Sequence, residues 1–157
     1  MKKNNKPLIL IHSYHHNNTQ KIGEVMAEVL DAKLQKVMST KLDEIQDYDL
    51  IGFGAGIDSG KHYLPMLKFA EKSPLVENKK AFIFSTSGVT GKNKTKNDHK
   101  ALREILISKG YEVIHEFQCK GYNTNSILKY FGGMNRDRPN ADDLMVAREF
   151  ARKIDNI

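Results

Sequence analysis

The sequence has no tryptophan, a single cysteine, and no apolar run that approaches the length of a membrane span. One cysteine, Cys119, cannot form an internal disulfide, which suits a reducing compartment. The apolar stretch behind the basic N-terminus, residues 8–11, is much shorter than the roughly 20 residues that cross a bilayer, and too short for a signal-peptide core. We therefore expect a cytoplasmic protein with no membrane partner.

Positive charge is in excess, because 25 lysines and arginines outnumber 19 acidic residues and give a net charge of +6. A nucleic acid partner is one explanation of such an excess. The basic residues are scattered, however, and the densest stretch, residues 92–100, contains no aromatic side chain on which a base could stack. We expect this stretch to be a solvated loop, and we expect no nucleic acid partner.

Two kinds of apolar pattern alternate along the chain. Continuous apolar runs, typical of strands buried on both faces, occur at residues 7–12, 49–54 and 81–84, and shorter or alternating strand patterns occur at 34–37 and 111–117. Between and after them, apolar residues at helical spacing predict helices around residues 22–30, 64–72, 101–106 and 144–154. This alternation predicts an α/β protein with a parallel sheet and helices on both faces, and the absence of a linker predicts one domain over residues 1–157.

Four of the predicted loops are rich in Ser, Thr, Asn and Gly, and all four follow strands. They are residues 12–19, 55–62, 85–97 and 119–139. In parallel sheets of this kind the ligand binds beyond the carboxyl ends of the strands, where the strand order reverses. These loops are therefore expected to carry the functional site.

The first loop, from Ser13 to Thr19, leads directly into a predicted helix. Hydroxyl, amide and backbone N–H groups at a helix N-terminus suit a phosphate, although Asn17 or Asn18 would cap the helix whatever its function. Three histidines, His12, His15 and His16, invite a metal interpretation. A zinc site needs further ligands at a useful spacing, which the sequence does not offer, so we expect no metal.

Three other nucleotide or phosphate folds are disfavoured. Residues 55–62 nearly spell a P-loop, but Ala55 replaces its first glycine and His62 replaces the Ser or Thr that would bind Mg²⁺. The loop after the first strand has no glycine, which argues against a dinucleotide-binding domain. The same loop has no acidic cluster, which argues against a phospho-acceptor receiver domain.

Taken in order, three segments resemble the flavodoxin family. Ser13 and Thr19 match the two ends of that family's phosphate loop, with His15 and His16 where Thr-Gly is usual. Residues 47–56 are similar to its third strand and first flavin loop, and residues 84–88 to its fourth strand and second flavin loop. The stretches 121–124, 132–133 and 138–151 resemble the tail of flavodoxin-like proteins. The resemblance implies a doubly wound, five-stranded parallel sheet of strand order 2-1-3-4-5.

The resemblance also implies FMN as cofactor. The residues expected to hold its phosphate are Ser13, His15, Asn17, Asn18 and Thr19. Those expected to flank the isoalloxazine ring are Gly54, Ala55, Gly56, Ile57 and Gly60 from one segment, and Ser85, Thr86, Ser87 and Gly88 from the other. In the absence of tryptophan, Tyr63 and Tyr122 are the candidates for stacking on the ring. A carbonyl that turns toward the reduced ring requires a residue tolerating positive φ, and we favour Gly56 over Gly60 for it.

An electron carrier is the function that these features favour, with redox proteins, acidic ones included, as partners. The alternatives are an FMN-dependent NAD(P)H:quinone or flavin reductase on the same fold, and a non-catalytic module that binds a partner protein or stores FMN. The small size of the chain favours the carrier. Its basic charge disfavours a low-potential shuttle, because acidic surroundings are what make an anionic reduced flavin costly.

Overall fold

The computed structural model describes residues 6–13, 17–121, 133 and 135–157. The predictions for His15 and Tyr122 lie outside these ranges. The strands are β1 Leu8–His12, β2 Lys33–Lys36, β3 Leu50–Asp58, β4 Lys61–His62, β5 Lys79–Ser87 and β6 Tyr111–Lys120. The α-helices are α1 Asn18–Leu30, α2 Leu64–Lys72, α3 Lys92–Asp98, α4 Lys100–Ser108 and α5 Ala141–Asp155. Two short 3₁₀ segments, Val37–Ser39 and Glu44–Asp47, link β2 to β3.

Five parallel strands form the sheet in the order β2-β1-β3-β5-β6. This confirms the predicted class and its order, with β5 and β6 as the fourth and fifth parallel strands. The short strand β4 is an addition that the sequence did not predict, and it pairs antiparallel with the end of β3. Ser59 and Gly60, with φ of 53° and 78°, form the two-residue turn of this hairpin, which requires positive φ at both positions.

The central strands run further than the apolar pattern indicated. Residues 55–58 belong to β3 and residues 85–87 to β5, where the sequence predicted loops. Small residues make this extension possible inside a packed sheet. A Cβ atom on Gly54 would lie 2.1 Å from the Phe84 ring, so only glycine leaves room for that ring. The first two residues of the predicted loop, Ala55 and Gly56, are therefore a buried strand end.

Residues 92–98 form the short helix α3, so the prediction of a solvated loop there is wrong. The segment has no apolar face, and its anchor is polar instead. Asp98 is buried and accepts hydrogen bonds from Lys94 and from Gln118 on β6. A helix held by a buried carboxylate gives no hydrophobic periodicity, which is why the pattern missed it.

Strand β6 lies at the edge of the sheet, as predicted. Its alternation of polar and apolar residues breaks at Ile114, and the structure explains the break. The register passes from Ala81 opposite Val113 to Phe82 opposite His115, so Ile114 is the extra residue of a β-bulge.

Helices cover both faces of the sheet, as expected. On one face α2 and α4 pack against residues such as Phe53 and Ile83. On the other face α1 and α5 pack against residues such as Ile9 and Phe84. Among the residues that the structure describes, no helix is long and apolar enough to cross a membrane. The two cores lie on the faces of the sheet, so a ligand site can form at its carboxyl edge, where β1, β3, β5 and β6 end.

Candidate functional site

The start of α1 is held against the ends of β5 and β6. The hydroxyl oxygens of Thr19 and Thr86 lie 3.0 Å apart and are both buried, so one hydroxyl donates a hydrogen bond to the other. A Cβ atom on Gly121 would lie only 2.6 Å from the Asn18 amide nitrogen. Glycine at position 121 therefore lets the Asn18 side chain approach the chain as it leaves β6.

The N-terminus of α1 is arranged differently from a simple capped helix. Asn17 occupies the N-cap position in a left-handed conformation, with φ of 55°, and its side chain makes no capping hydrogen bond. Asn17, one of the two residues expected to cap the helix, therefore gives no side-chain cap, because a capping residue typically has an extended backbone. Ser13 supplies an acceptor instead, since its Oγ lies 3.3 Å from the backbone nitrogen of Gln20. The first turn of α1 has no acidic residue, which leaves its positive dipole end available to an anion.

The hairpin of β3 and β4 leads directly into Tyr63. The Tyr63 backbone N–H donates to the Gly56 carbonyl oxygen at 3.0 Å, and a Cβ atom on Gly56 would lie 2.6 Å from the Tyr63 ring. The same ring meets His12 edge-on, with centroids 6.0 Å apart. Burial lowers the pKa of the His12 imidazole below its usual 6.5. Tyr63 therefore lies at the carboxyl edge of the sheet, next to the ends of β1 and β3, with His12 as its aromatic neighbour.

The preference for Gly56 over Gly60 as the residue that turns stays a prediction, and the backbone of the hairpin gives Gly60 the greater freedom. Gly56 pairs with Thr86 inside the sheet, and its carbonyl oxygen is already bonded to the Tyr63 N–H. Gly60 has the positive φ, 78°, and no described atom lies within 4 Å of where its Cβ would be. If a peptide of this hairpin turns, it is the exposed one at Gly60.

The second predicted ring-side segment divides into an inner and an outer half. Ser85 and Thr86 are buried, whereas Ser87 and Gly88 are partly exposed. The outer half is fastened by two hydrogen bonds from later in the chain. The Ser87 carbonyl accepts the Gly121 N–H at 3.0 Å, and the Gly88 carbonyl accepts the Asn135 side-chain amide at 2.7 Å.

The structure thus gathers most of the predicted site residues at one edge. Ser13, Asn17, Asn18 and Thr19 lie at the start of α1, and Ile57 and Gly60 lie in the hairpin. Gly54 and Ala55 lie deeper, within β3, and are buried under the edge. The sequence did not single out Asn135, whose side-chain amide contacts the Gly88 carbonyl. Apart from the residue type, which tolerates its left-handed backbone, nothing near position 135 in the sequence indicates this contact. In the described part of the chain, no three His, Cys, Asp or Glu side chains converge as a metal site would require.

The strand order reverses between β1 and β3, and the polar ends of these strands meet the hydroxyl- and amide-rich start of α1 at that point. This is the doubly wound α/β class that places its ligand at the switch point. A sequence model described as a flavodoxin domain matches residues 9–153. The chain belongs to the flavodoxin family.

Relatives agree with this assignment. An uncharacterised protein of Methanocaldococcus jannaschii is 48% identical over 149 residues, covering 95% of this chain and 97% of that protein. A flavodoxin from the domain Archaea superposes with a TM-score of 0.68 at 18% identity, covering 96% of both chains. A Fusobacterium nucleatum flavodoxin bound to flavin mononucleotide superposes with a TM-score of 0.65 at 13% identity, covering 96% of this chain and 98% of that chain. At these identities the two structures establish the fold alone.

Proposed function

We propose that this protein binds FMN noncovalently and carries electrons between redox partners in the cytoplasm. The observation that carries the proposal is the meeting of three separate segments at the carboxyl edge: the start of α1, the β3–β4 hairpin and the end of β5. Family membership and the flavin bound by a relative support the same cofactor.

The residues at this edge fit the two ends of an FMN molecule. The phosphate would lie at the start of α1, where Ser13, Asn18 and Thr19 bring polar groups to a helix end free of acidic residues. The ring would lie between the hairpin and residues 85–88, with Tyr63 as the described aromatic at that edge. Bound FMN supplies the redox chemistry, and the chain orients it and excludes water.

Thr19→Val tests the phosphate placement. The variant removes a hydroxyl from a buried position, and losing a hydrogen bond to a charged group costs roughly 1.5–3 kcal/mol. FMN affinity should therefore fall about ten- to hundredfold, while riboflavin affinity, which has no phosphate to lose, should change little. Titration of apoprotein followed by flavin fluorescence measures both.

Thr86→Val is the matched control, because it breaks the same pair of hydroxyls from the other side. It should not lower the ratio of FMN to riboflavin affinity as Thr19→Val does. An unchanged ratio in Thr19→Val would contradict the placement of the phosphate at Thr19.

The same protein distinguishes a carrier from a reductase. A carrier should take up electrons one at a time in a reductive titration and should not be bleached by NADPH without a second protein. Direct bleaching by NADPH, with full reduction in one step, would favour the FMN-dependent reductase. The net charge of +6 favours acidic redox proteins as partners of the carrier.

A further inference from the structure

Two histidines lie buried beneath the candidate site, and the site as described gives neither of them a role. His62 is 1% exposed and His99 is fully buried, with ring centroids 4.9 Å apart. They come from different elements, since His62 is in β4 and His99 lies between α3 and α4. Burying the polar nitrogens of an imidazole ring costs free energy unless those nitrogens form hydrogen bonds.

His62 ties the hairpin to β5. Its Nε2 lies 3.1 Å from the Phe84 carbonyl oxygen, which only accepts, so Nε2 carries the hydrogen. Nδ1 is then an acceptor, and it has no hydrogen-bond partner within the described residues. Burial, followed by the neighbouring His99, lowers the pKa of His62 to about 3, so the ring is neutral at ordinary pH. Strand β4 pairs with β3, and the imidazole adds a connection to β5 that the sheet does not make.

His99 holds the next residue of β5 in the same way. Its Nδ1 lies 3.1 Å from a Glu116 carboxylate oxygen and therefore donates. His99 Nε2 and the Ser85 hydroxyl oxygen share a hydrogen bond of 2.7 Å, and the Ser85 hydroxyl also accepts from the Gln118 amide at 3.1 Å. Arg103 holds the other side of Glu116 with two hydrogen bonds. Burial raises the pKa of Glu116, but His99 and Arg103 outweigh it and lower the value to about 2.

The order Ser85–His99–Glu116 matches the hydrogen-bond chain of a hydrolytic triad, but its setting does not. Ser85 is fully buried within β5, and its hydroxyl is engaged by both His99 and Gln118. A nucleophile needs a reachable oxygen and room for a substrate. Ser85 has no exposed surface, so the chain fixes the strand rather than attacking a substrate.

We propose that His62 and His99 are positioning residues that hold the hairpin and residues 85–88 at a fixed separation for the ring of a bound flavin. This inference rests on the proposed function. His62 fastens the hairpin to Phe84, and His99 fastens the adjacent Ser85 to β6, so the two ring-side segments share one buried support. Loss of this support should weaken contacts with the ring and leave those with the phosphate intact.

The experiment compares His62→Leu with His62→Gln. Leucine fills the space without donating to the Phe84 carbonyl, whereas the glutamine amide nitrogen reaches about the position of Nε2 and restores the donor. We expect His62→Leu to lower riboflavin affinity about tenfold and to shift the midpoint potential of bound FMN. His62→Gln should stay within about threefold of wild type in affinity and keep its potential. The ratio of FMN to riboflavin affinity should be unchanged in both.

Ser73→Ala is the matched control for general destabilisation. Ser73 is buried, and its hydroxyl donates to the Phe69 carbonyl in α2 at 2.8 Å, so the variant also removes a buried bond to a carbonyl. It should leave riboflavin affinity and potential unchanged. Where His62→Leu fails to fold, Ser85→Ala removes the hydroxyl held by His99 and should lower riboflavin affinity in the same direction.

Three results would overturn the inference while leaving the flavin site intact. The first is that both His62→Leu and Ser85→Ala keep the wild-type riboflavin affinity and potential. The second is that His62→Gln loses as much riboflavin affinity as His62→Leu. The third is that Ser73→Ala loses as much riboflavin affinity as His62→Leu. Labelling of Ser85 by a fluorophosphonate would also overturn it, because only an accessible nucleophile reacts. Failure of the wild-type protein to bind FMN at all would instead reject the proposed function, and the inference with it.

Discussion

At the scale of single residues, buried polar groups set the chemistry of this protein. The hydroxyls of Thr19 and Thr86 form a hydrogen bond with each other, and the Glu116 carboxylate accepts hydrogen bonds from His99 and Arg103. His62 and Tyr111 differ, because within the described ranges the buried Nδ1 of His62 and the buried Tyr111 hydroxyl have no hydrogen-bond partner. Such a buried imidazole leaves a signature in the dependence of stability on pH.

We predict that His62→Gln flattens the fall of stability between pH 6 and pH 5. The native ring stays neutral down to a pKa of about 3, whereas the unfolded ring titrates near 6.5, so the unfolded chain binds more protons in between. The free energy of unfolding therefore falls as the pH falls through this window, by about 1 kcal/mol per pH unit from this residue. Glutamine does not titrate and removes that contribution.

Urea denaturation at pH 6 and pH 5 measures the effect for both proteins. Glu116 does not affect this comparison. Its pKa is lowered from 4.5 to about 2, so its contribution to stability is present above about pH 4.5 and is lost only as the pH falls toward about 2. Equal slopes in wild type and variant would show that the His62 pKa is not depressed in the native state.

At the scale of elements, α5 shows how local chemistry defines a helix. It begins after Asn140, whose side-chain oxygen accepts the Asp143 backbone N–H at 3.0 Å, while an Asp143 carboxylate oxygen accepts the Asn140 backbone N–H at 2.8 Å. Arg138 pairs with the same carboxylate. Burial raises the pKa of Asp143, but Arg138 and the Asn140 backbone outweigh it and lower the pKa below its usual value.

Asn140→Ala should destabilise the protein by about 1 kcal/mol, the usual cost of losing an N-cap side chain. The lost bond is the one to the Asp143 N–H, which no other group replaces in the capping box. Asn156→Ala, at the opposite end of the helix, is the control and should stay within about 0.5 kcal/mol of wild type. A loss in the control as large as in Asn140→Ala would contradict the capping role.

At the scale of the whole molecule, the candidate site connects elements that are distant in sequence. The start of α1, the hairpin and the ends of β5 and β6 meet at one edge of one sheet. A ligand that bridges these elements binds the folded chain and not the unfolded one, so it must stabilise the fold by mass action.

FMN at about 100 times its dissociation constant should therefore raise the free energy of unfolding by about 2.7 kcal/mol. For a chain of this size, that corresponds to an increase in Tm of roughly 5–11 °C. Riboflavin at the same concentration should give a smaller increase, because it leaves the start of α1 without a ligand. Differential scanning calorimetry of the apoprotein measures both, and an unchanged Tm with FMN would argue against binding at this edge.

Local pattern was sufficient for the fold class, whereas the strand order followed from the resemblance to the flavodoxin family. The runs at residues 7–12 and 81–84 are apolar enough to require burial on both faces, and the helices between them carry apolar faces. Gly110, with φ of 103°, ends α4 as expected, and Asn140 begins α5. These features follow from spacing and residue type within a few neighbouring positions, so they can be predicted without knowing what lies opposite.

The tertiary structure alone decided the features that depend on distant partners. Strand β4 forms because the chain turns back after Ile57 and Asp58, through Ser59 and Gly60, and pairs with β3. Helix α3 is anchored by the hydrogen bond that Asp98 accepts from Gln118 on β6. The pairing of Thr19 with Thr86, and the support given by His62 and His99, join residues between 14 and 67 positions apart. Polar contacts over such separations leave no periodic signal in the chain, so only packing determines which donor meets which acceptor.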